Sequence, residues 1–189
     1  MTAPPRSGLN RRKVLTLAGL WFAAFPLCSL RAQQRESALS DTEVEKLRDT
    51  AYSPPDRVMA FLQFLDDRVK AIDKLSSGKR QPGREQDIHD YIEQFNSIAD
   101  DFDDNLDDYG KYHRDIRKVL PKVLAATERW ATSLRTPPEH ESYNVSRKLA
   151  LESLADIKES ATKLIDEQKA WFLAHPPAKA DANKPSPRS

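Results

Sequence analysis

Residues 100–118 read DDFDDNLDDYGKYHRDIRK and join two amphipathic patterns that run back to back from 84 to 134. The first closes on six aspartates within nine residues: Asp100, Asp101, Asp103, Asp104, Asp107 and Asp108. The second opens on His113, Arg114, Arg117, Lys118 and Lys122. On a helix the aspartates form three like-charge pairs at i,i+4 and three at i,i+3. At roughly 0.2–0.5 kcal/mol per pair the set costs about 1–3 kcal/mol. A helix C-terminus disfavours anions as well. Something must offset this. A hairpin folded about Gly110 brings Asp107 near Arg114, Asp104 near Arg117 and Asp103 near Lys118. Each charge is then wrong for its own helix end and right for its neighbour. The same six aspartates form the candidate surface for a basic partner or a divalent cation. An EF-hand frame starting at Asp103 fails, because its glycine position holds Asp108 and its closing glutamate position holds Arg114.

Outward from this stretch the chain reads as helices. Upstream, a seam of Ile88, Ile92, Phe95, Ala99, Phe102, Leu106 and Tyr109 alternates steps of four and three, which predicts a helix over 84–109 packed on near-antiparallel neighbours. Gly110 is the expected left-handed residue at its end. Downstream, Ile116, Leu120, Val123, Thr127, Trp130 and Leu134 predict a helix to 134, kinked near Arg117 by Pro121. Before both, Val58, Leu62, Leu65, Val69 and Ile72 predict a helix over 54–77, and Ser53 is its expected cap. Leu39-Ser40-Asp41-Thr42-Glu43-Val44 has the capping box and staple of a short lead helix. Ala150, Leu154, Ile157, Ala161, Leu164, Gln168 and Trp171 mark the last helix, over 143–173, with Trp130 and Trp171 as core anchors. No segment alternates with period two. The expected fold is all-α: an antiparallel up-down four-helix bundle over 53–174, with a lead helix over 33–52 and a disordered tail over 175–189.

The first 32 residues have the layout of an export signal. Arg6, Arg11, Arg12 and Lys13 precede 17 uncharged residues from Val14 to Leu30, and a cut is expected after Ala32. Asn10-Arg11-Arg12-Lys13-Val14-Leu15 resembles a twin-arginine signal, whose route carries folded proteins; retention as an uncleaved anchor is the alternative. Cleavage removes the single cysteine, Cys28, and five of the 30 Lys and Arg. It leaves 25 basic against 29 acidic residues, or about −4. The mature chain has no disulfide, thiolate ligand or cysteine nucleophile. Its net acidity argues against nucleic acid as a partner.

No glycine-rich phosphate loop, Glu-x-x-His pair or serine elbow occurs in the chain. His89 and His140 belong to one end of the expected bundle, His113 and His175 to the other, so they form no ligand set. Asn144-Val145-Ser146 matches a glycosylation sequon, a pattern common by chance. The expectation is an exported, non-catalytic protein that works through an unknown protein partner in the cell envelope, with no cofactor, no resident metal and no membrane span after cleavage. A cation-binding or sensor module using Asp100–Asp108 is the alternative. An enzyme built on surface loops stands third.

Overall fold

The structure, a computed structural model, describes residues 38–176. The export signal and most of the expected tail lie outside the described residues. All regular structure described is helical: α1 (Asp41–Asp49), α2 (Pro54–Ser77), α3 (Arg84–Lys111), α4 (Leu120–Leu134) and α5 (Asn144–Ala174). No described helix is long and apolar enough to cross a membrane.

The helix starts follow local chemistry. Ser40 accepts from the Glu43 amide, and the Glu43 carboxylate accepts from the Ser40 amide, closing the expected capping box. Ser53 makes no side-chain cap; its hydroxyl donates to the Asp56 carboxylate instead. The lead helix is held to α2 at both ends. Arg68 donates to Glu43 and to the Ala38 carbonyl, and Arg57 donates to the Leu47 carbonyl at 2.6 Å. The Arg68–Glu43 ion pair is largely enclosed, with side-chain exposures of 12% and 14%. Burial alone would raise the Glu43 carboxyl; Arg68 and Ser40 together hold it below the usual range.

The apolar seams form one core. Every residue of the seams on α2, α3 and α4 is buried, as are Ala150, Leu154, Ile157, Ala161, Leu164 and Gln168 of α5. Phe61 stacks on Phe102 at 5.3 Å, and Phe95 meets Trp130 edge-on at 6.0 Å. Trp171 departs from its expected core role and is only half-buried, while Leu149 of α5 is 49% exposed.

The helix pairing differs from the expected hairpin. α2 packs on α3 and α4, and α5 packs on α3 and α4, but α3 and α4 do not pack on each other. Consecutive partners run antiparallel: Arg57 meets Asn105 and Arg68 meets Gln94 across α2/α3. The other two contacts are parallel. Along α3/α5, Asn96 meets Ser146 and Asp100 meets Ser153. Along α2/α4, Asp66 meets Arg129 and Asp73 meets Ser133. The residues after α3 therefore cross diagonally before α4 begins. Pro121 explains why α4 begins late. It occupies the first turn of α4, where its missing N–H costs nothing, instead of kinking a longer helix near Arg117. Residues 112–119 form the crossing.

Gly110 is helical, and His113 takes the left-handed turn at φ 50°. The Arg114 amide donates to the Tyr109 carbonyl at 2.9 Å and the His113 amide to the Gly110 carbonyl at 3.2 Å. That is a Schellman end with histidine where glycine is usual. Glycine at 110 serves packing: a Cβ there would lie 2.8 Å from Leu164 Cδ2 of α5.

Candidate functional site

The diagonal crossing decides the setting of the aspartates. Asp100, Asp101, Asp104, Asp107 and Asp108 are exposed on α3, and Asp103 is partly enclosed. None forms an ion pair among the described residues. Of the expected partners, Arg117 binds Asp115 at 2.8 Å and lies over the Phe172 ring at 4.2 Å, and Arg114 and Lys118 form no ion pair among the described residues. The pairs Asp107–Arg114, Asp104–Arg117 and Asp103–Lys118 do not form. The physical reason is that α3 and α4 occupy opposite corners of their four-helix set.

The parallel neighbour of α3 adds more acid than base, with Lys163 the α5 cation in the groove. Asp107, Asp108, Gly110 and Lys111 of α3 face Asp156, Glu159, Ser160, Lys163, Leu164 and Glu167 of α5 across a groove of about 740 Å³. Lys163 is within 3.8 Å of Glu167 on its own helix. Enclosure raises the Asp103 carboxyl above the usual range. Asp107, Asp156 and Asp104 add to the shift, and the Ser160 hydroxyl opposes it. Asp103 Oδ1 has no hydrogen-bond partner among the described residues. Asp101 is also raised, by partial desolvation and then by Asp104 and Asp100, against Arg57. The carboxylates lie along the helix, and among the described residues no three His, Cys, Asp or Glu side chains converge as a metal site.

No protein-family model matches the chain, and neither the curated proteins nor the solved structures contain a significant match.

One arrangement escapes sequence reasoning. Ser146 Oγ lies 3.3 Å from His89 Nδ1 and donates to the Glu93 carboxylate. The residue types are those of a hydrolase triad, but the order is not. Serine stands between the other two and donates its proton to the carboxylate, whereas a nucleophile needs histidine in the middle as its base. Ser146 is 5% exposed inside α5, and this cluster ties α3 to α5. The only signal in sequence was the i,i+4 spacing of His89 and Glu93; nothing local announced Ser146. In the sequon, Asn144 Oδ1 accepts from the His140 amide at 3.0 Å and from Arg147 at 2.9 Å, so the side chain ties the preceding loop to the first turn of α5.

The histidines fall into two groups. His140 stacks on Tyr143 at 5.6 Å, near the His89–Ser146 contact. At the C-terminal ends of the parallel α3 and α5, His113 and His175 stack on Trp171 at 3.6 and 3.7 Å. Next to them Gln168 accepts from the Ile116 amide at 3.1 Å and donates to the Arg114 carbonyl at 2.8 Å. Gln168 was a polar interruption in the sequence seam; here it fastens the crossing to α5.

Proposed function

We propose that this is an exported, non-catalytic protein that works by binding a basic protein partner in the cell envelope along the solvent face of α3. In this reading α2–α5 are an up-down four-helix bundle and α1 is its lead helix. One observation carries it: the six aspartates have no ion-pair partner within the described residues, and the parallel helix α5 extends the acidic face with Asp156, Glu159 and Glu167. A like-charged surface without direct ion pairs of its own is suited to a ligand of opposite charge. Carboxylates spread along a groove suit several spaced cations of a polypeptide better than one metal ion.

The test is titration of the protein with a lysine-rich peptide at low and high salt. Binding should weaken in salt and fall at least tenfold when Asp100, Asp101, Asp104 and Asp108 are changed to Asn. A control with equal charge removed elsewhere, at Asp41, Glu45, Asp49 and Asp67, should retain it. Equal loss in both variants would reduce the effect to net charge and sink the reading. The second reading, a cation module, is favoured by the orphaned Asp103 Oδ1. A melting temperature unmoved by millimolar calcium or zinc removes it.

A further inference from the structure

Helices α1 and α4 both pack on α2 but not on each other, so a channel is left above α2 between them. Its floor is small and apolar, with Ala60 and Met59 from α2 and Ala125 and Ala126 from α4. Its volume is about 610 Å³, inside the roughly 300–1,000 Å³ of small-ligand clefts.

Charge on the walls chooses the ligand class. Both carboxylates of the channel are engaged. Asp66 accepts from Arg129 and from Trp130 Nε1, each at 2.6 Å, and Asp56 accepts from Ser53. Two ammonium groups have no carboxylate partner among the described residues. Lys46 of α1 donates to the neutral Gln63 amide oxygen at 2.6 Å. Lys122 of α4 has only Met59 Sδ, at 4.0 Å. Met59, on the floor beside Lys122, is 38% exposed and is a soft, adaptable surface for an alkyl chain.

We propose that this channel binds a single-chain amphiphile with an anionic head, its alkyl chain along the alanine floor and its head held by Lys122 and Lys46. The site lies on different helices from the acidic face and does not depend on it. The probe is dodecanoate, kept below its micelle concentration and titrated calorimetrically into the full chain. Saturable one-to-one binding is expected. Lys122→Gln and Lys46→Gln should each weaken it about tenfold, the scale of one charge-assisted contact. Ala125→Phe, at an exposed helical position, should abolish it by filling the channel. Ala125→Leu is the second filling variant, judged by the same criterion if the first does not fold. Dodecanol and acetate, which separate chain from charge, should each bind at least tenfold more weakly than dodecanoate. No saturable binding, equal binding of dodecanol, or dodecanoate binding unchanged by a folded filling variant would overturn the proposal.

Discussion

The molecule contains two parallel helix contacts, and they differ in almost every respect. Along α3/α5 the Leu164 side chain lies against Gly110, buried Ser146 is shared with α3, and both helices bring acid to the outer rim. Along α2/α4 the contact is thinner, held by Asp66 and Asp73, with Ala60, Ala125 and Ala126 beside Asp66 and the cations Lys122 and Arg129 on the same channel. Parallel packing sets like ends of two helices together, so no dipole compensation is available from the pair itself. Each contact needs its own fastening. α3/α5 has Gln168 and the Trp171 stack at its C-terminal end. α2/α4 has the carboxylate of Asp66 under Trp130.

Each contact has a substitution that tests it. Trp130→Ala should cost the most, about 3–5 kcal/mol, because a fully buried ring is lost and Asp66 loses a donor. Urea denaturation measures it, and a loss below 2 kcal/mol would show that α2/α4 is held by something else. Gln168→Leu should cost about 2–3 kcal/mol, because the Ile116 amide and Arg114 carbonyl lose their partner on α5. Hydrogen exchange at Ile116 should rise with it.

Gly110→Ala tests the close approach. The helix gains about 1 kcal/mol in propensity, and Leu164 must move to admit the methyl. The net change should be small, but the cycle with Leu164→Ala should show a coupling of at least about 0.5 kcal/mol. An additive cycle would mean that the helices have room to spare.

Asp103→Asn should stabilise the protein at pH 7 by about 0.5 kcal/mol, the scale of one or two like-charge pairs. The sign with pH follows from the raised carboxyl. A folded-state value above the unfolded one penalises the fold when the group is ionised, and the penalty disappears as pH falls through the folded value. The advantage of the variant should therefore shrink on acidification toward pH 4. Glu43 acts in the opposite sense. Its lowered carboxyl contributes stability above its usual 4.5 that is lost as pH falls through the folded value. A constant advantage for Asp103→Asn from pH 7 to 4 would contradict the assignment. The smallest effect separates the observed pairing from the hairpin: Arg117→Asp and Asp104→Arg should be additive to within about 0.3 kcal/mol.

Several features were legible because their causes are local. The α1 capping box needs only Ser40 and Glu43. The α2 bounds follow from Pro54 at one end and Gly78 at the other. The seams of α2, α3 and α4 are buried as their spacing required. The six aspartates were visible as a cluster, but not their company. Asp156 and Glu159 lie about fifty residues away and join them only because α3 and α5 run side by side in the same direction. The same holds for Ser146 beside His89, and for the channel between α1 and α4. Gly110 was read by its commonest use, a turn, when its role is to let Leu164 approach; a sequence records that a side chain is absent, not why.

The helical character of the described chain, most helix bounds and the stripe that each helix buries are written in the order of its residues. Those properties depend on residues within a turn or two of each other. Packing of the helices sets the rest: residues 112–119 cross a diagonal, α4 waits for Pro121, and the acidic face of α3 meets α5 instead of the basic residues that follow it. Four similar apolar stripes can close a common core in more than one cyclic order. Choosing among those orders takes close approaches such as Gly110 on Leu164 and long-range clasps such as Gln168 on Ile116, which no local pattern contains.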